Sequence, residues 1–150
     1  MGHTFTHLIY HVVFSTKDRR PLIKGDLQPR LIEYMAGIAR QEFGRAIALG
    51  GTDNHMHALL SVRPAVSISE AVGKLKSLSS GWMNKSIRAE APLYWQKGYA
   101  AFSVSESARG QVETYLARQA EHHRKVTFEE EFVAFLKRHG IDYDPATIWD

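Results

Sequence analysis

Two histidines one residue apart, His55 and His57, head the apolar run Ala58, Leu59, Leu60 in the stretch TDNHMHALLSV. Histidine is an unusual residue with which to open a buried strand. On a strand, residues i and i+2 point to the same face, so both imidazoles project together, with Met56 and Ala58 on the opposite side. Two neutral imidazoles a few ångström apart form a natural half-site for a divalent metal. A pair of surface histidines at a strand end satisfies the same pattern, and eight histidines in 150 residues make chance pairs common.

A second group of reactive side chains lies on a helix expected from Ser107 to about Lys125. Val112, Tyr115, Leu116 and Gln119 share one face of it by the i, i+3, i+4, i+7 rule. Tyr115 and Gln119 are one turn apart, so a phenol and an amide point the same way. Ordinary half-burial explains many tyrosines. A glutamine on an inner stripe needs a hydrogen-bond partner or a metal.

The elements that must position these groups are legible from periodicity. HLIYHVVFST is β-branched and aromatic and predicts a strand, followed by the basic connection KDRRPLIKGD. Leu31, Met35 and Ile38 recur at helical spacing through about Phe43. AIALGG and HALLSV predict two further strands joined by a short turn around residues 52–54. Ser67 with Glu70 predicts a capping box, with Ile68, Val72, Leu75 and Trp82 as the helical stripe behind it. YWQKGYAAFSVS is strand-like with an interruption at Gly98. Thr127 with Glu130 predicts a second capping box. Phe128, Phe132, Phe135 and Leu136 form the next stripe, and Gly140 falls where a glycine cap belongs. The order strand, helix, strand, strand, helix, strand predicts an α+β fold, a ferredoxin-like split β-α-β antiparallel sheet with helices on one face, plus C-terminal helices.

Composition bounds the class. The chain has 150 residues, 44% of them hydrophobic, which suits one domain over residues 1–150. It has no cysteine, which excludes disulfides and thiolate chemistry. No apolar stretch approaches the ~20 residues of a membrane span and no signal peptide is evident, so a cytoplasmic location and no membrane partner are expected. Residues 63–97 carry six basic against two acidic side chains, and residues 126–150 two basic against six acidic. That asymmetry suits a polyanion on one face, although scattered charges on solvated helices give the same count.

DNHMHALLSV, YWQKGYAAFSVS and VETYLARQAEHHRKVTFEEEFVAFLKRHGIDYD together resemble a small insertion-sequence transposase of the single-tyrosine HUH class. The opening YHVVFSTKDRRPLI resembles the same family's first strand and basic turn. The resemblance implies His55, His57 and Gln119 as ligands of a magnesium or manganese ion. It implies Tyr115 as the nucleophile that attacks a DNA phosphodiester. It implies a homodimer, with the tyrosine helix of one subunit able to complete the histidine pair of the other, acting on single-stranded DNA hairpins near element ends. Asn54 stands where aspartate is frequent, Ser77 and Leu78 where glycines are, and Ala58 where a larger aliphatic residue is usual.

A phenol with pKa ~10 is a poor nucleophile at neutral pH, and a metal on the phosphate helps its attack. One phosphodiester becomes another, so no nucleotide cofactor is needed, and no Walker-type glycine loop is present. Lys17, Arg19 and Arg20 after the first strand, and Lys74, Lys76 and Lys85 on the second helix, are candidate DNA-backbone contacts. Two other readings use the same residues. A ferredoxin-like nucleic-acid-binding module without catalysis would not need Tyr115 and Gln119 in register with the histidines. A metal-dependent hydrolase using water would not need Tyr115.

Overall fold

The computed structural model describes residues 2–150. β1 (Ile9–Ser15) and β3 (His55–Val62) are the central strands, and both are buried on their two faces. This is why each reads as an almost unbroken apolar run. They pair antiparallel with Val13 opposite His57 and Ser15 opposite His55. β2 (Gly44–Gly51) flanks β3, and β4 (Ala100–Ser103) flanks β1, giving the antiparallel order β2-β3-β1-β4. This is the expected ferredoxin-like sheet.

One face carries Val12, Phe14, Met56, Ala58, Leu60 and Val62. Against it pack α1 (Leu27–Glu42) through Leu31, Met35 and Ile38, and α2 (Ile68–Trp82) through Val72 and Leu75. Ser67 caps α2 by accepting from the Glu70 amide, which is one half of the expected reciprocal box.

The other face is closed by the C-terminal elements. α3 (Glu106–Ala117) lays Leu116 on Ile9 and Leu59. α5 (Phe128–Arg138) lays Phe128 and Leu136 on Val13, Ala100 and Phe102. Thr127 and Glu130 form the full capping box expected for α5, and Gly140 (φ 66°) turns the chain off its end. The sheet is therefore enclosed between two helical layers.

Two expectations change. The single helix over residues 107–125 is broken: α3 stops at Ala117, Arg118 leaves the helical region (φ −107°, ψ 20°), and a short α4 (Gln119–His122) follows. No glycine or proline lies at the break. It is imposed by packing, because Leu116 rests on the β2 backbone at Gly50 while Gln119 turns to His55. The strand predicted from Tyr94 is reduced to Ala100–Ser103, with an isolated bridge between Trp95 and Thr16. Gly98 (φ 85°) interrupts it. The ammonium of Lys76 donates to the carbonyls of Gln96 and Gly98 at 2.7 and 2.8 Å, groups that a continuous ladder would have satisfied.

Candidate metal and nucleophile site

The strand register sends His55 and His57 to the same face, with their rings 5.2 Å apart, and both are 0% exposed. Full burial removes the reading of surface histidines at a strand end. Their outer nitrogens are held by neighbours. Nδ1 of His55 donates to Oδ1 of Asn54 at 2.8 Å, with the Thr52 hydroxyl also bonded to that oxygen at 3.1 Å. This fixes the tautomer and turns the Nε2 lone pair inward. Nδ1 of His57 lies 2.7 Å from Nε2 of His11, a buried residue of β1 on the same face.

Gln119, buried, brings Oε1 to 3.1 Å from Nε2 of His55. The Tyr115 ring stands 5.7 Å from that of His57, so the broken helix sets both Tyr115 and Gln119 beside the histidine pair. His123, after α4, donates Nδ1 to the Val126 carbonyl at 2.7 Å, which leaves its Nε2 facing Oε1 of Gln119 at 3.1 Å.

Glu131 of α5 stands at the centre. Its Oε1 lies 2.8 Å from Nε2 of His57, 3.2 Å from Nε2 of His123 and 3.5 Å from Nε2 of His55. Its Oε2 accepts from the Tyr115 hydroxyl. Burial opposes the Glu131 charge, but the surrounding imidazoles of His123, His55 and His57 hold the carboxyl ionised, well below the usual carboxylate range. Burial pushes the Tyr115 phenol well above its ordinary value, and the bond to Glu131 adds to the rise. Burial, with the neighbouring histidine charge, lowers His11 to about 3. Burial likewise lowers His57 to about 4. Both rings are neutral at physiological pH.

The donor set fits a divalent metal. Ring nitrogens of His55, His57 and His123 and an oxygen of Glu131 all lie within 4.8 Å of one another, with Oε1 of Gln119 beside them. Soft-to-borderline nitrogen and hard oxygen donors converging in a buried space are what such ions take.

His11, His123 and Glu131 escaped the sequence reading. Glu131 follows Phe128 by three residues and precedes Phe135 by four, so a carboxylate in the apolar stripe of α5 was the available signal. His123 follows Gln119 by four. His11 interrupts an apolar strand on the face of Ile9 and Val13.

The basic residues are dispersed. Lys17, Arg20 and Lys85 are exposed. Arg19 lies over the Trp149 ring at 4.9 Å and pairs with Glu129 at 3.8 Å. Lys74 pairs with Glu42 at 3.7 Å. Lys76, expected to face a polyanion, is turned onto the two backbone carbonyls instead, and burial lowers its pKa. Trp82 stacks on Tyr34 at 4.2 Å, and Trp95 donates to the Ser79 hydroxyl at 3.1 Å. No helix among the described residues is long and apolar enough to cross a membrane.

The chain is similar to known transposases in sequence and in fold. The ISDra2 transposase TnpA of Deinococcus radiodurans is 28% identical over 117 residues, covering 75% of this chain and 84% of that protein. The transposase for insertion sequence element IS200 of Salmonella typhimurium is 24% identical over 126 residues, covering 81% and 82%. A crystal structure from Deinococcus radiodurans R1, described as a candidate transposase, aligns with TM-score 0.62 and 26% identity, covering 79% of this chain and 96% of that one. A REP associated tyrosine transposase bound to a REP hairpin shares the fold, with TM-score 0.58 and 12% identity over 84% of this chain and 76% of that one. Residues 4–119 match the family model described as Transposase IS200 like, and the chain belongs to that family of transposases.

Proposed function

We propose that this transposase cleaves and rejoins single-stranded DNA at hairpin-marked element ends through a 5′-phosphotyrosine intermediate on Tyr115. The observation that carries the reading is the meeting of two groups on one anion. The Tyr115 hydroxyl and the buried imidazoles both contact the Glu131 carboxylate. A nucleophile and a set of metal-capable donors therefore face a common seat for a negatively charged oxygen.

His55, His57 and Gln119 would hold a magnesium or manganese ion, which when bound neutralises and polarises the scissile phosphate. Attack of the Tyr115 oxygen on phosphorus forms the phosphotyrosine bond and breaks the bond to the 3′ oxygen; the phenol releases its proton to solvent, and the 3′ oxygen takes one from solvent to leave as a hydroxyl. Reversal onto another strand rejoins DNA. Asn54 and His11 orient the two histidines. Lys17, Arg20 and Lys85 supply exposed cationic groups for the DNA backbone. The hairpin-bound neighbour supports a hairpin substrate.

A homodimer formed through the sheet follows the family pattern and covers a strand edge left open in the chain. Light scattering should then return twice the 17.0 kDa chain mass.

Tyr115→Phe removes one oxygen and little volume. Incubated with a hairpin oligonucleotide and manganese, it should bind DNA but give no cleavage and no covalent adduct on a denaturing gel. Cleavage at the unaltered rate would make water the nucleophile and the protein a hydrolase. Hairpin binding without cleavage by the unaltered chain would leave the non-catalytic binding module.

A further inference from the structure

We infer that His123 and Glu131 complete a closed four-donor site for a divalent transition metal with His55 and His57, and that Glu131 is the donor a DNA phosphate must displace. This rests on the metal-dependent reading above and goes beyond it. It sets His123 and Glu131 beside His55 and His57 in place of Gln119 and assigns α5 a role.

Spacing is the first observation. The edge of a tetrahedron of donors with bonds of about 2.1 Å is about 3.4 Å. Oε1 of Glu131 stands 2.8, 3.2 and 3.5 Å from the Nε2 atoms of His57, His123 and His55. The imidazole nitrogens lie within 4.8 Å of one another, so closing those edges and expanding the short contact makes a four-coordinate cage. Three imidazoles and one carboxylate favour manganese, cobalt or zinc over magnesium, which prefers oxygen ligands and retains water.

Orientation is the second. Each imidazole has its outer nitrogen engaged, by Asn54 for His55, by His11 for His57 and by the Val126 carbonyl for His123. Such outer partners are the usual companions of metal-ligating histidines.

Enclosure is the third. His55 and His57 are 0% exposed and Glu131 is 3% exposed, so no phosphodiester reaches the histidine pair while α5 is docked. The carboxylate also engages the Tyr115 hydroxyl. Glu131 thus occupies the space between nucleophile and imidazoles that a scissile phosphate needs.

Chain extent is the fourth. Both added ligands lie beyond residue 119, where the family match ends. The Deinococcus radiodurans R1 structure is 96% covered by only 79% of this chain. α5 lies outside the segment that the family model describes, so its carboxylate is not among the residues that segment supplies to the site.

Cobalt(II) titration of the full chain, followed by visible absorption, tests this. Four-coordinate cobalt absorbs far more strongly than six-coordinate cobalt. The unaltered chain should show the intense band. Glu131→Gln and His123→Asn should each lose it and bind ~10-fold or more weakly, at least the loss that follows removal of an outer partner. Circular dichroism melting confirms that both variants fold. Glu131→Gln should also cleave a hairpin oligonucleotide several-fold faster with manganese. An unchanged spectrum and affinity in Glu131→Gln, with His123→Asn folded and equally unchanged, overturns the ligand assignment. Weakened binding with slower cleavage overturns displacement and makes Glu131 part of the working centre. If neither cobalt nor manganese binds the unaltered chain, the metal-dependent reading itself falls.

Discussion

Nε2 of His11 lies 2.7 Å from Nδ1 of His57, across the β1–β3 pair, in a site where both rings are buried. With Glu131 ionised, Nε2 of His57 donates to it and Nδ1 accepts from His11. When Nδ1 donates to His11 instead, Nε2 is released as a ligand. His11 can serve both arrangements because imidazole offers either a proton or a lone pair. His11→Phe keeps a ring against Phe135, which His11 meets at 5.0 Å, and deletes the partner. Manganese affinity, read by calorimetry, should fall ~10–100-fold. His11→Gln should recover part of it. An unaltered Kd in His11→Phe would show that His57 needs no such partner.

Acid should destabilise the chain studied with a chelator present. His57 titrates at about 4 and His11 at about 3 when folded, chiefly because burial disfavours their charged forms. Unfolded, each returns to about 6.5. Below that value the unfolded chain binds protons that the folded chain refuses. The contribution of these two rings is therefore full above pH ~6.5 and declines as pH falls toward 4, by at most about 1.4 kcal/mol per pH unit for each; His123, which Glu131 raises against the effect of burial, works the other way and offsets part of it. The Glu131 contribution, from a lowered pKa, is lost only at more acidic pH, below the unfolded carboxylate value. Urea unfolding at successive pH values checks this, and a flat profile from pH 7 to 5 contradicts it.

A methyl group at Gly50 should loosen the seat of Tyr115. A Cβ there would stand 2.2 Å from the Leu116 carbonyl oxygen and 2.9 Å from its carbon, both backbone atoms. α3 would have to lift from β2 one residue from Tyr115. Gly50→Ala should lose about 1–3 kcal/mol of stability, the usual cost of overpacking. Strand cleavage should drop with it. A urea midpoint equal to that of the parent chain would mean that α3 packs less tightly than the structure indicates.

Lys76 should behave unlike its basic neighbours. Lys76→Met leaves the Gln96 and Gly98 carbonyls without their donor, and should lower stability by about 1–3 kcal/mol. The salt dependence of DNA binding should stay as it was. Lys17→Ala or Arg20→Ala should leave folding intact and reduce the salt slope by about 1 each. Fluorescence anisotropy across a salt series separates the two. A shallower slope in Lys76→Met would mean that its ammonium leaves the carbonyls for phosphate.

The sequence by itself determined the features that depend on local periodicity. Alternation placed His55 and His57 on one face and Met56 and Ala58 on the other, and β1 and β3 form as the patterns require. The Thr127–Glu130 box and Gly140 bound α5 for the same reason, since caps act within a single turn. Tertiary structure decided the rest. Glu131 reaches His57 across 74 residues of chain, and His11 reaches it across 46. Nothing in the spacing of residues 119–131 states that α5 folds back under the sheet. The turn at Arg118 has no local cause, and Lys76 looks like any other surface lysine until Gly98 interrupts its strand. Strand register and helix docking bring these groups together. Burial then makes neighbours matter, because a charge or carbonyl removed from water must find its partner within hydrogen-bonding distance wherever in the chain that partner lies.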